Sequence, residues 1–156
     1  MITNMKNLKT KITEYARTLG ITKCGFASYE DKTAIVCLFP YYRGEEDGNI
    51  SLYAKSRDYH LVAREKLGKI CCFIKSQVGE TQSSLFCDIG PEIDRELAYK
   101  AGLGFYGKNH MLINDDLGSW FFIGYILCDL DLEPDTPLNK SCIGCHTCIE
   151  SCVGKA

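Results

Sequence analysis

No stretch of this sequence reaches the roughly 18 consecutive apolar residues that a membrane-spanning helix needs. The N-terminal "MITNMKNLKTKITEYARTLG" also lacks the continuous apolar run and small-residue cleavage site of a secretory signal. The expected compartment is therefore the cytoplasm. An excess of positive charge is missing too. A net charge of −2 provides no broad basic field for phosphate backbones, so this domain alone is not a strong electrostatic binder of nucleic acid. There is no internal repeat and no low-complexity segment. What remains is the profile of an ordinary globular protein: 156 residues, 46% hydrophobic and 24% charged, enough for one domain with one core.

Cysteine is the residue in excess, with ten in the chain. Disulfides are rare in the cytoplasm, so these are not read as a staple framework. Cys24, Cys37, Cys71, Cys72, Cys87 and Cys128 lie in apolar stretches, where a free thiol behaves as a small hydrophobe. They are expected in the core. Cys142, Cys145, Cys148 and Cys152 are different, packed into "CIGCHTCIESC" at steps of 3, 3 and 4. Zinc sites usually separate two Cys-x-x-Cys knuckles by a dozen or more residues. No such spacer exists here. Cys-x-x-Cys-x-x-Cys is instead the ferredoxin spacing for a [4Fe–4S] cluster, with zinc as the second choice, since thiolates suit either metal. His146 reads as a filler beside that cluster. In two-cluster ferredoxins the fourth cysteine of such a run serves the other cluster, and no second cysteine-rich run is present. The fourth iron therefore needs Cys152, a core cysteine, a non-protein ligand or a thiol from further polypeptide.

Periodicity supplies the elements. Ile2, Met5, Leu8, Ile12, Tyr15, Ala16 and Leu19 mark one face of a helix that Gly20 ends. "ITKCGFAS" and "TAIVCLFPYY" read as strands, the second apolar enough to be central. "RGEEDGN" is a polar loop. A second helix is expected from about Asp58 to Gln77, with Leu61, Leu67, Ile70, Phe73 and Ile74 inward. "SSLFCD" reads as a short strand, and Pro91 suits the first turn of a helix running to Gly102. "HMLIN" and "SWFFIGYILCDL" flank the turn-forming "DDLG" and predict an antiparallel hairpin. The fold class is α+β.

Asp88, at a strand end before a helix, is placed either as a catalytic acid or as a helix cap. Arg95 and Lys108 read as surface charges when taken singly. Gly102, Gly104 and Gly107 follow a helix instead of opening one, so they are no dinucleotide fingerprint. They either let the backbone approach a flat, bulky group or make a turn.

Together, "YAKSRDYH" (53–60), "CDIGPEIDRELAYKAGLGFYGKN" (87–109), "LGSWFFIGYILCDLDL" (117–132) and "CIGCHTCIESC" (142–152) resemble the epoxyqueuosine reductase family. These are cobalamin- and iron–sulfur-dependent enzymes of queuosine synthesis in tRNA. Reductive dehalogenases look like more distant relatives. The resemblance implies a nitroreductase-like cobalamin-binding domain over 1–134 and a partial [4Fe–4S] ferredoxin-like segment over 135–156. It implies reduction of epoxyqueuosine at tRNA position 34, with Co(I) attacking the epoxide and Asp88 as proton donor. Tyr59, His60, Asp88, Arg95, Lys108 and Asn109 would contact cobalamin, and Cys142, Cys145, Cys148 and Cys152 would hold the cluster. An electron-donor protein is implied as a partner. Family members continue further, so the resemblance also implies truncation within the ferredoxin-like module. Two other readings fit the same residues: a corrinoid or iron–sulfur electron-transfer module without tRNA chemistry of its own, and a zinc-stabilised binding domain.

Overall fold

The computed structural model describes residues 2–44, 48–91 and 93–154, with the backbone alone for residues 2–6. The expected inward side chains Ile2 and Met5, the centre of the polar loop (Glu45, Glu46 and Asp47) and Glu92 lie outside the described residues. The helix α1 spans Ile2–Thr18 and buries Leu8, Ile12 and Ala16; the chain then turns at Gly20, which takes a φ of 77°. Next come the strands β1 (Lys23–Tyr29) and β2 (Lys32–Pro40), then α2 (Tyr59–Val78) and β3 (Ser83–Cys87). The rest comprises α3 (Asp94–Lys100), β4 (Phe105–Tyr106), β5 (Leu112–Ile113), β6 (Phe121–Cys128) and α4 (Thr147–Glu150). The expected mixture of helix and strand is therefore present.

Four strands form one antiparallel sheet in the order β1-β2-β6-β3. β2 lies inside the sheet, as its apolar run predicts, and both of its faces are buried. One face packs Phe26, Ile35, Cys37 and Ile126 beneath α1 and α2, where Leu67, Ile70 and Ile74 are fully buried. The other packs Val36, Leu38, Tyr125 and Leu127 against Leu97 and Ala98 of α3. A sheet covered on both sides carries no solvent-facing alternation, which is why its two central strands read as continuous apolar runs.

Three local expectations are corrected. Leu61 does not face the core but is 55% exposed, because it lies on the opposite side of α2 from the buried Ala63, Leu67, Ile70 and Ile74. Cys72 is exposed, next to half-buried Cys71, since consecutive helix positions point about 100° apart. The helix expected at Pro91 begins only at Asp94; residues 88–91 and Ile93 lie outside any helix or strand.

The predicted hairpin does not form between long strands. β5 pairs with β4 in a separate two-stranded sheet, and β6 inserts between β2 and β3. Only the bridge Asn114–Gly118 survives from the hairpin, with Asn114 Oδ1 accepting from the amides of Asp116 and Leu117 at 3.0 and 3.2 Å. β6 is buried on both faces for nearly its whole length, so it gains far more between two strands than at an exposed edge.

The connector after β6 returns along β1. Asp135 Oδ2 accepts the Phe26 amide at 2.8 Å, the Asp135 amide donates to the Phe26 carbonyl at 2.8 Å, and Lys9 Nζ donates to Asp135 Oδ1 at 2.8 Å. This clamp covers a sheet edge and aims the cysteine-rich tail. Asp135→Ala leaves a part-buried amide unmatched and is expected to cost about 1–3 kcal/mol. Asp135→Asn, which keeps an acceptor, should recover part of it, as read by denaturant unfolding. Among the described residues, no helix is long and apolar enough to cross a membrane.

Candidate functional site

A cleft of about 570 Å³ opens where α2 begins, β6 begins and the loop between β3 and α3 turns. Phe121, Phe122, Ile123, Pro91 and Ile93 supply apolar walls, and Tyr59, Asp88, Asp94 and Arg95 supply polar groups. Ile89 and Ile93 on the loop are 83% and 63% exposed. Apolar side chains left in water beside a cleft mark a binding surface for an apolar group.

Asp88 takes a φ of 72°, in the left-handed region that few non-glycine residues occupy. Such strain is held only where the surroundings over-determine it, and functional sites are where it collects. Its amide donates to Asp94 Oδ2 at 3.2 Å. Asp88 thus does not cap α3; the Asp94 carboxylate reaches back to secure the Asp88 turn. Burial pushes the Asp94 carboxyl above the usual carboxylate range, opposed by that amide bond.

The loop is also pressed onto the sheet. A Cβ at Gly90 would collide with the Tyr125 hydroxyl, and Tyr125 is fully buried. Only glycine lets the chain pass at this point. Gly104 is similar, since a Cβ there would meet the Ile113 carbonyl at 2.6 Å. The close approach allowed at Gly104 is thus filled by the protein's own backbone.

Asp58 caps α2 by accepting the His60 amide at 2.9 Å, and the same oxygen lies 2.9 Å from His60 Nδ1. These bonds hold the Asp58 carboxyl below its ordinary range. His60 Nε2 faces Asp88 Oδ2 at 3.6 Å. Asp58, His60 and Asp88 therefore form a line of acid, base and acid, ending at the cleft. Tyr59 stacks on Phe122 with ring centroids 3.8 Å apart and on His60 at 3.9 Å. Burial, and then the Asp88 carboxylate, raise its phenol.

Of the sequence-predicted residues, Tyr59, Asp88 and Arg95 line the cleft, with His60 beside them. Arg95 Nη1 donates to the His110 carbonyl at 2.6 Å and ties α3 to the next loop. Asn109 holds that loop by accepting the Met111 amide at 3.2 Å. Lys108 points to the cysteine-rich tail, where its Nζ lies 2.9 Å from His146 Nε2. Phe121, Phe122, Ile93 and Asp94 were not anticipated; Phe121 and Phe122 belong to the cleft because the start of β6 lies beside α2, and Ile93 and Asp94 because the chain enters α3 there. Asp58 carried a legible signal, an acid directly before a helix.

Cys142, Cys148 and Cys152 are half-buried and Cys145 is exposed. Among the described residues, no three His, Cys, Asp or Glu side chains stand together as a metal-holding group. The donor chemistry nevertheless suits a soft metal. Backbone amides of Gly144 and Lys108 lower the Cys142 thiol, and the Thr147 hydroxyl, then its amide, lower Cys145. Both groups lean toward the thiolate form that ligates metals.

Comparison with known proteins supplies the family. The family model described as "Epoxyqueuosine reductase QueG, DUF1730" matches residues 28–89. An epoxyqueuosine reductase of Leadbetterella byssophila is 39% identical over 125 residues, covering 78% of this chain and 41% of the relative. One from Francisella cf. novicida is 47% identical over 107 residues, covering 67% and 30%. A crystal structure of epoxyqueuosine reductase with an epoxyqueuosine-modified tRNA-Tyr stem loop superposes with a TM-score of 0.81 at 23% identity, over 95% of this chain and 52% of that one. A reductive dehalogenase associated with B12-dependent dehalogenation gives 0.59 at 18% identity, over 81% and 20%. The chain spans less than half the length of these curated relatives. By its family model, its relatives and its fold, the chain belongs to the epoxyqueuosine reductase family.

Proposed function

We propose that this chain is the corrinoid-holding, proton-donating part of an epoxyqueuosine reductase, which reduces epoxyqueuosine to queuosine in tRNA. The observation that carries the reading is Asp88: an acid on the wall of the cleft, turned there by a left-handed backbone and backed by His60. The relatives' shared name and the tRNA stem loop bound by one structural neighbour support the substrate.

The residues present fit a corrinoid. Phe121, Phe122, Pro91 and the loop isoleucines offer apolar surface, Arg95 on the cleft wall offers donors for amide side groups, and Lys108 and Asn109 would reach such groups from the neighbouring loop. Cobalamin would supply the reduced, nucleophilic cobalt that opens the epoxide. Everything else falls to the protein. An alkoxide is a poor leaving group, and Asp88 would protonate the departing oxygen. His60 Nε2 is placed to return a proton to Asp88 Oδ2 after a small closing movement, with Asp58 fixing the ring through Nδ1. The aromatic stack of Tyr59 on Phe122 holds the start of α2 in place for this.

Residues 1–134 would then be the nitroreductase-like cobalamin domain and 135–156 a ferredoxin-like segment. Cys142, Cys145, Cys148 and Cys152 would hold a [4Fe–4S] cluster that relays electrons from a donor protein. The hydrogen bond between Lys108 and His146 joins that segment to the loop after the cleft. Such an enzyme works in the cytoplasm, with further polypeptide completing the electron path and the grip on tRNA.

The test is anaerobic incubation with cobalamin, iron and sulfide, followed by dialysis, metal analysis and visible spectra. Stoichiometric corrinoid uptake with a cob(II)alamin spectrum is expected; no uptake overturns the reading. Cys145→Ala is expected to abolish the iron–sulfur absorption while leaving circular dichroism and corrinoid uptake unchanged, because the tail packs outside both faces of the sheet. Loss of the whole fold in that variant would contradict the division at residue 134.

A further inference from the structure

A ledge of aromatic rings leads outward from the cleft. Phe122, stacked on Tyr59 inside, is 4.8 Å from Tyr41 and 6.2 Å from Tyr53 between ring centroids. Tyr41 continues to Trp120 at 5.9 Å, and Trp120 to Tyr42 at 5.2 Å. The outer rings are unusually open: Tyr42 is 48%, Tyr53 51% and Trp120 44% exposed. Tyr41 meets Tyr53 and Trp120 nearly edge-on, at 76° and 75°, so ring faces stay available for stacking. A notch beside Tyr41 is lined by Arg43, Lys55, Leu52 and Ser56, so its lining among the described residues holds two cations and no carboxylate.

Stacking faces with neighbouring cations are what unpaired nucleotides require. Each base lies on a ring, and the backbone phosphates find positive charge. Tyr, Trp and Arg also serve protein interfaces; the continuity of these rings with the cleft, through Phe122 and Tyr59, favours the strand that carries the entering nucleoside. A duplex would need the broad basic field that this chain lacks. The rings also begin at the cleft itself, where a nucleoside leaving its stack would expose the bases on either side.

We propose that this ledge binds the single-stranded RNA flanking the nucleoside that enters the cleft, stacking its bases on Tyr42, Trp120 and Tyr53 and its phosphates on Arg43 and Lys55. The inference rests on the reading that a tRNA nucleoside is the substrate.

Trp120 is the only tryptophan in the chain, so its fluorescence reports on the ledge. The probe is an unmodified single-stranded heptanucleotide with an anticodon-loop sequence, titrated into the full chain, with an RNA duplex of equal charge as control. Quenching by the single strand and not by the duplex is expected. Tyr42→Ala with Tyr53→Ala should weaken binding about tenfold or more. Both side chains are exposed, and unchanged thermal unfolding would show that the fold survives. Arg43→Ala should flatten the salt dependence of binding by about 0.7 in log–log slope. Equal quenching by the duplex, no quenching, or unchanged affinity in the double variant overturns the proposal. So does concentration-dependent self-association that shields Trp120. Cobalamin uptake separates the two readings. Uptake without quenching sinks the ledge alone; quenching without uptake sinks the corrinoid reading and leaves the ledge.

Discussion

Asp88→Asn is expected to lower epoxide reduction by roughly 10²–10⁴-fold, the range for removing a positioned general acid, with cobalamin uptake unchanged. Asparagine keeps the size and tolerates the left-handed backbone at this position, so the loop should hold its shape. The measurement is single-turnover conversion of epoxyqueuosine tRNA, followed by nucleoside analysis, in an assembly competent for turnover. Full activity in the variant would remove Asp88 from the chemistry. His60→Gln separates proton return from proton donation. It should leave the first turnover nearly intact and slow later ones, because Asp88 would then recover its proton from solvent alone. An equal loss in every turnover would mean that His60 only supports the fold. Asp58→Asn should act in the same direction and more weakly, since it loosens the ring without removing it.

Gly90→Ala carries the second large effect, on structure. The new methyl has no space before the Tyr125 hydroxyl, and Tyr125 lies in the middle of the sheet with no room to retreat. The loop must lift instead. Overpacking of this kind typically costs about 1–3 kcal/mol. Lifting the loop also shifts Asp88 away from His60, so corrinoid affinity and proton donation should fall together. A thermal midpoint and cobalamin affinity both equal to the parent's would show that the close approach is not needed.

Asp94 adds a pH dependence. Its carboxyl is raised by burial, so the folded chain disfavours its charged form more than the unfolded chain does. Stability from this group is complete at pH below the unfolded carboxylate range. It declines as pH rises through the higher folded value. Asp94→Asn should remove that decline and still accept the Asp88 amide, a difference visible in unfolding curves taken from about pH 4 to pH 7.

Much of the architecture was legible locally. The three- and four-residue spacing through Leu8, Ile12 and Ala16 marked α1, and the apolar run 33–39 marked an interior strand. The place of Asp88 on the wall of the cleft was signalled by its position at a strand end before a helix. Leu61 was misread because an apolar residue near a helix start need not share its buried face: it stands two and a half turns from Ile70, on the opposite side of α2.

By itself the sequence determined most of the helices and strands, though not β4 or α4, and it determined which thiols are grouped and which acid stands at a strand end. These depend on side chains a few residues apart, within reach of local backbone geometry. Only the tertiary structure decided that β6 enters between β2 and β3, that Gly90 lies against Tyr125, and that His60 meets Asp88 across 28 positions of chain. Those pairings are chosen by burying β6 on both faces at once, a global condition that no short window of sequence contains.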